Sequence, residues 1–211
     1  MSDTVHAEQA ATINAWTHGE RQLVMLAVTA APCGQCRQFL AELENAQELR
    51  VLIDGIRATT LARLLPRAFG PAELKSTARL LHTRRHRIFL KDEPTDPLTR
   101  AALAAARSCY APYTRAYAGV AVATRRSTYA GRYAENAAFN PTIAPLNAAL
   151  STLILGGEEF CNIQRIVLVR SAVWVPKTRP GAVTCGFAMA GRASSDAARI
   201  GAWCVSTVLS V

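Results

Sequence analysis

The 211-residue sequence predicts an α/β fold made of two related units. The first observation is an apolar run at residues 23–30, which has the length of a buried strand and lies between two segments with helical spacing. The second is an internal repeat, since residues 5–11 (VHAEQAA) align with residues 143–149 (IAPLNAA). We therefore expect a helix–strand–helix arrangement near the N-terminus and a related unit in the second half.

The helices on either side of this strand are expected to carry chemically active residues at their starts. The segment HAEQAATINAW, residues 6–16, presents His6 from the first turn of one helix. Pro32 can open the other helix, and Cys33 and Cys36 then lie on one face of its first turn, where the helix dipole favours thiolates. The apolar residues of that helix recur at helical spacing: Phe39, Leu40 and Leu43.

His6, Cys33 and Cys36 can fill three tetrahedral positions on Zn²⁺ and leave the fourth for water, as in a catalytic zinc site. Glu8 is two residues from His6 and can carry protons from that water. The pattern His-x-Glu followed by Pro-Cys-x-x-Cys resembles the signature of zinc deaminases. The alternatives are a redox pair or half of a zinc finger, but a finger needs a second close ligand pair, which the sequence lacks.

Several segments extend this resemblance across almost the whole chain. They are VHAEQAATINAW, PCGQCRQFLAEL, LARLLPRAFGPAEL, CYAPYTRAYAGVAV and AGRYAENAAFNPTIAPLNAAL. The sequence resembles the larger, homodimeric bacterial cytidine deaminases. The resemblance implies a three-layer α/β/α sandwich, one Zn²⁺ bound by His6, Cys33 and Cys36, and Glu8 as proton shuttle. It also implies hydrolysis of cytidine and deoxycytidine to uridine and deoxyuridine in pyrimidine salvage.

The same resemblance implies roles for residues around the metal. Phe69 of the AFGP segment would line the base pocket, Ala7 would contact the substrate, and Ala138 and Phe139 would reach across the dimer into the neighbouring site. For the two phenylalanines, packing in the core is the alternative. Arg37 would hydrogen-bond a zinc-binding thiolate from outside the ligand set, with a surface salt bridge as its alternative.

The second unit has lost the residues needed for chemistry. Ala144 aligns with the histidine and Leu146 with the glutamate, and no Cys-x-x-Cys follows, so this copy cannot bind zinc in the same way. We expect a zinc-binding catalytic domain at residues 1–92 and a degenerate, dimer-forming domain at residues 93–211. The junction falls in the Pro-containing stretch 90–98, and a further loop is expected at 175–182.

The segment that precedes the repeated sequence, here called the front end, is shorter in the first unit than in the second. A helix and a hairpin-like stretch, residues 102–139, precede the repeated segment in the second unit, whereas only residues 1–5 precede it in the first. In the family, that front end supplies a small helical extension, two strands and an asparagine-x-glutamate motif that holds the ribose. We expect a fragment or misassigned start, an inactive truncated protein with a structural or oligomerisation role, or a chain completed by another polypeptide.

Composition limits the other classes of function. The net charge of +9 and the basic cluster at residues 82–87 are typical of proteins that bind nucleic acid. However, no aromatic residues interleave with the cluster to stack on bases. We therefore expect a free nucleoside as the substrate. The uninterrupted apolar runs are shorter than a membrane span. Asp3, His6 and Glu8 fall where an export signal needs a basic start and an apolar run. The scattered cysteines therefore favour a cytoplasmic protein with free thiols.

Overall fold

A computed structural model describes residues 4–82, 84–90, 92–171 and 207–210. The first unit contains α1 (Ala7–Thr17), β1 (Met25–Val28), α2 (Gly34–Leu40), β2 (Arg50–Ile53), β3 (Ile56–Thr60) and α3 (Leu61–Leu64). The second contains α4 (Pro97–Arg107), β4 (Ala118–Thr124), β5 (Thr128–Arg132), α5 (Pro145–Leu155), a 3₁₀ turn (Phe160–Asn162), β6 (Ile163–Arg170) and β7 (Thr207–Ser210). The loop expected at 175–182 lies outside the described residues.

Each unit has its own sheet, and the two sheets share a local pattern. In the first, β1 pairs in parallel with β2, which pairs antiparallel with β3. In the second, the order is β5-β4-β6-β7, with β4 antiparallel to both neighbours and β6 parallel to β7. In both units, therefore, the strand that follows the long helix pairs in parallel with a later strand.

The helices confirm the internal repeat. α1 and α5 each have 11 residues, and their N-caps are His6 and Ala144, the two residues that the alignment places together. The expected helix at 6–16 and the expected strand within 23–30 are both present. The structure therefore confirms the α/β class with two copies of one helix–strand motif.

The start of α2 differs from the expectation. The helix begins at Gly34, so Pro32 lies outside it and Cys33 is the N-cap, with φ −69° and ψ 169°. This extended backbone leaves Cys33 as the residue before the helix, from which its sulfur reaches His6. Leu43 also lies beyond the helix but remains buried in the core.

The second unit forms three layers. On β4, Ala121 packs with α4 residues such as Ala102, whereas its neighbours Val120 and Val122 pack with Leu153 of α5. Alternate side chains of a strand point to opposite faces, so α4 covers one face of this sheet and α5 covers the other. This is the α/β/α layering that the resemblance implied.

The first sheet is covered less completely. Leu26 of β1 is buried, whereas Met25 and Ala27 on either side of it are exposed. Among the described residues, β1 pairs with a strand only on its β2 side, while the corresponding strand β6 also pairs with the β4–β5 hairpin. That hairpin confirms the expected hairpin-like stretch in the second unit.

The two units share one apolar core. Trp16, Phe39 and Leu40 of the first unit belong to the same buried cluster as Tyr110 and Ala134 of the second. The units therefore stabilise each other, and the division proposed at residues 92 and 93 stays a prediction. None of the described helices has the length and apolar composition needed to cross a membrane.

Gly131 of β5 lies directly against the start of α5. A Cβ at this position would overlap the carbonyl oxygen of Pro145 and the amide nitrogen of Ala149, which are backbone atoms. We expect Gly131→Ala to lower the free energy of unfolding by about 3 kcal/mol, because the helix must move to admit the methyl group. Urea unfolding of the metal-free chain measures this loss.

Gly34→Ala is the matched control, since an added Cβ there meets no atom within 4 Å. It should leave the free energy of unfolding unchanged or raise it by up to about 1 kcal/mol. Equal stability of the two variants would contradict the close packing of β5 on α5.

Candidate active site

His6 is held at the N-terminus of α1 by a local hydrogen bond and by the second unit. Its backbone N–H donates to Oε1 of Gln9 at 3.1 Å. The side-chain amide of the buried Gln9 in turn donates to the carbonyl of Pro141 at 3.3 Å. Gln9 therefore fixes the first turn of α1 to the loop that precedes α5.

Cys33 and Cys36 lie at the N-terminus of α2, where unpaired N–H groups and the helix dipole favour negative charge. Arg37 holds the start of this helix, because its Nε donates to the carbonyl of Pro32 at 2.7 Å and its Nη1 to that of Leu64 at 3.0 Å. We expected Arg37 to bond a thiolate. Both of these bonds instead go to backbone carbonyls, which fix the loop that carries Cys33.

The three candidate ligands converge on one point. The sulfur of Cys33 lies 3.4 Å from Nδ1 of His6 and 3.6 Å from the sulfur of Cys36, and one ligand atom from each residue lies within 4.8 Å of the others. A tetrahedral zinc ion with ordinary bond lengths separates two thiolate sulfurs by about 3.8 Å and a sulfur from an imidazole nitrogen by about 3.6 Å. The donor set and its spacing therefore fit Zn²⁺.

Glu8 contacts this cluster from the first turn of α1. Its Oε2 accepts a hydrogen bond from the thiol of Cys36 at 3.3 Å. Burial raises the pKa of the Cys36 thiol, and the neighbouring Cys33 and Glu8 raise it further. A zinc ion at this cluster would stabilise the Cys36 thiolate, because a coordinated cation favours the deprotonated form of a thiol.

The cluster is closed on one side and open on the other. Cys36 is fully buried, whereas Cys33 is exposed and His6 is half-buried. Three protein ligands and an open side are the arrangement of catalytic zinc sites, which admit water or substrate at the fourth position. Within the described part of the chain, one group of three histidine, cysteine or acidic side chains has the spacing of a metal site, and it consists of His6, Cys33 and Cys36.

Glu42 is a buried carboxylate near this site that the sequence did not reveal. Its oxygens accept hydrogen bonds from the hydroxyls of Tyr110 at 2.7 Å and Tyr113 at 2.8 Å, and from the N–H of Ala137 at 2.7 Å. Burial raises its pKa, while these three donated hydrogen bonds act to lower it. Glu42 therefore ties the residues just after α2 to two segments of the second unit.

Gln38 of α2 connects the segments predicted to contact substrate. Its side-chain amide donates to the carbonyl of Phe69 at 2.5 Å, and its own carbonyl accepts from Nδ2 of Asn136 at 3.0 Å. Asn136 in turn accepts from the N–H of Ala138 at 2.9 Å. The structure thus ties Asn136 to α2 of the same chain, and the reach of Ala138 and Phe139 into a neighbouring site stays a prediction.

The predicted substrate residues have exposed side chains. Phe69 is 45% exposed, Phe139 is 73% exposed, and Ala7 and Ala138 are also exposed. Phe139 also has a positive φ of 62°, a backbone region that bulky residues rarely adopt. Exposure at this level leaves the aromatic faces accessible, and it excludes the alternative that either phenylalanine is an ordinary core residue.

Two family models describe the chain. Both are described as the cytidine and deoxycytidylate deaminase zinc-binding region, and they match residues 1–51 and 61–179. The first match contains all four residues of the candidate site.

Proteins named cytidine deaminase from Yersinia pestis (strain Pestoides F) and Yersinia pseudotuberculosis serotype O:1b (strain IP 31758) are each 46% identical to the chain over 170 residues. These residues make up 80% of the chain, which spans 57% of the length of either relative. A solved structure of cytidine deaminase from Burkholderia pseudomallei is 26% identical, covers 43% of this chain and 71% of its own, and has a TM-score of 0.36. With more than half of its length matched by one of the two models, the chain belongs to the cytidine and deoxycytidylate deaminase zinc-binding family.

Proposed function

We propose that the chain is the zinc-binding part of a cytidine deaminase that hydrolyses cytidine and deoxycytidine to uridine and deoxyuridine. The observation that carries this proposal is the convergence of His6, Cys33 and Cys36 in one cluster that the carboxylate of Glu8 contacts. The relatives at 46% identity, which are named cytidine deaminase, support the choice of substrate.

His6, Cys33 and Cys36 would hold a zinc ion, which would supply the Lewis acidity for activating water at neutral pH. Glu8 takes a proton from that water through its carboxylate oxygens, because the first turn of α1 directs the side chain toward the cluster. The same carboxylate then delivers protons to the ring nitrogen and to the departing amine. Each turnover consumes one water and releases ammonia.

The substrate is proposed to bind between the two segments joined by Gln38. Phe69 supplies an exposed aromatic face for the base, and Phe139 supplies a second face from the other segment. Ala7 and Ala138 are small and exposed, so their side chains leave room for a flat heterocycle. The hydrogen bonds of Gln38 and Asn136 fix the two segments to the metal-binding helix.

We further propose that the protein is a cytoplasmic homodimer of pyrimidine salvage. Apolar side chains exposed on the second unit support an interface there, among them Ile154, Leu155 and Phe160. Light scattering coupled to size-exclusion chromatography measures the mass of the assembly. A mass of one chain at micromolar concentration would contradict the dimer.

The first experiment measures zinc content and cytidine deamination, followed by the fall in ultraviolet absorbance, on the 211-residue chain. We expect about one zinc per chain and turnover of both cytidine and deoxycytidine. Bound zinc without turnover would leave the metal assignment standing and contradict the proposed activity. A version with a copy of the β4–β5 hairpin added before His6 tests whether covering the open edge of β1 raises the rate.

Glu8→Gln tests the proton shuttle. The amide keeps the shape of the side chain but cannot accept a proton, so we expect kcat to fall roughly a hundredfold to ten-thousandfold while the zinc content stays unchanged. Glu20→Gln makes the same chemical change at an exposed position and is the matched control. Equal rates for the two variants would show that Glu8 does not carry the protons.

Cys33→Ala tests the metal site. Removing one of three protein ligands should release most of the zinc and abolish turnover, which metal analysis and the same absorbance assay would measure. Cys161→Ala is the control, since Cys161 is also a free, exposed cysteine. Full zinc content in Cys33→Ala would mean that the ligand set is wrong.

A further inference from the structure

A cavity of about 720 Å³ lies between residues 74–78, 82 and 84–86 of the first unit and residues 109–113, 115 and 117 of the second. Its lining contains none of the four residues of the metal site. Its volume lies within the roughly 300–1,000 Å³ typical of small-molecule sites. The cavity therefore has the size for a ligand of its own.

The charge of this cavity is strongly positive. Its lining includes Lys75, Arg84, Arg85 and Arg115, and no aspartate or glutamate. The ion pairs found in the described part of the chain join other residues, so none of these four cations is neutralised by a carboxylate there. Four cations that form no ion pair among the described residues surround this concave surface and attract an anion.

Two buried carboxylates behind the cavity, Glu42 and Glu135, offset part of this charge, but four cations against two carboxylates leave the surroundings positive. Glu42 already accepts hydrogen bonds from Tyr110 and Tyr113, whose rings contribute to the lining. Glu135 accepts from the backbone N–H groups of Tyr113 and Thr114 and from the Thr114 hydroxyl. Both carboxylates therefore hold the segment of residues 110–114 in place, from which Tyr110 and Tyr113 line the cavity.

One wall is also held rigidly. The rings of His86 and Tyr117 stack with centroids 3.9 Å apart, and Nε2 of His86 lies 2.9 Å from the carbonyl of Cys109. This wall occupies one face of the Tyr117 ring, so that face is not available for stacking against successive bases of a nucleic acid. A concave volume of about 720 Å³ is the size of a site for a compact anion.

We propose that this cavity binds a small molecule that carries phosphate groups. Arginine guanidinium groups present paired N–H donors that match phosphate oxygens, and Lys75 adds a point charge. The arginines come from both units, since Arg84 and Arg85 precede α4 and Arg115 precedes β4. Binding therefore depends on the packing of the two units and not on a single basic segment.

The test uses the full 211-residue chain and calorimetry with pyrophosphate, adenosine monophosphate and adenosine. We expect the two phosphate-bearing probes to bind with an affinity that falls as salt rises, and adenosine not to bind. The double variant R84A/R85A should weaken both phosphate probes by about tenfold or more. Arg115→Ala, from the other unit, should also weaken them.

The double variant R125A/R126A is the matched control, because it removes the same two charges from the exposed β4–β5 turn. It should change the affinity by less than about twofold. Equal losses in the two double variants would show a general effect of charge and overturn the proposal. Binding that depends on zinc but not on Arg84 and Arg85 would place the phosphate at the metal centre and would also overturn it.

A short single-stranded oligonucleotide completes the set of probes. If it binds far more tightly than adenosine monophosphate and loses affinity in R84A/R85A, the surface recognises nucleic acid, and the small-molecule proposal is wrong. Thermal unfolding of each variant shows whether it is folded, and Arg115→Ala provides an independent result if the double variant is not.

Discussion

The site depends on the meeting of two helix N-termini. His6 is the N-cap of α1 and Cys33 is the N-cap of α2, so the positive ends of both helix dipoles face the same small volume. Such an arrangement favours negative groups, and the two thiols and the carboxylate of Glu8 are the groups found there. The position of α1 is in turn set by the second unit. Arg132 donates to the carbonyl of Trp16 at 2.8 Å and lies 4.2 Å from its ring, while Gln9 is bonded to Pro141.

Comparison of the two repeated units shows which residues the fold requires and which residues the zinc chemistry requires. α5 has the same length as α1 and an N-cap at the equivalent position, yet that N-cap is Ala144 and Leu146 stands where α1 has its glutamate. The helix survives this change because its packing on β5 and on the core decides its position. The second unit therefore has a helix equivalent to α1 without the zinc-site residues, and its hydrogen bonds hold α1 in position.

Much of this arrangement was predictable because it is local. Apolar spacing predicted α1, β1 and α2, and the zinc-deaminase signature predicted that the histidine and the two cysteines would meet. Glu42 was not predictable, since it stands in a polar stretch beside the exposed Glu44 and its hydrogen-bond donors are 68 to 95 residues away. For the same reason the sequence did not place Asn136 beside α2. The start of α2 was missed because a proline can stand either in the first turn or just before the N-cap.

The long-range bonds of α1 also set an order of events during synthesis. Gln9 and Pro141 are 132 residues apart, and Trp16 and Arg132 are 116 residues apart. The ribosome releases the N-terminal residues first, so the helix that carries His6 is made well before the residues that hold it in place. The final position of α1, and with it that of His6, is therefore fixed only after the residues near Arg132 and Pro141 have been made.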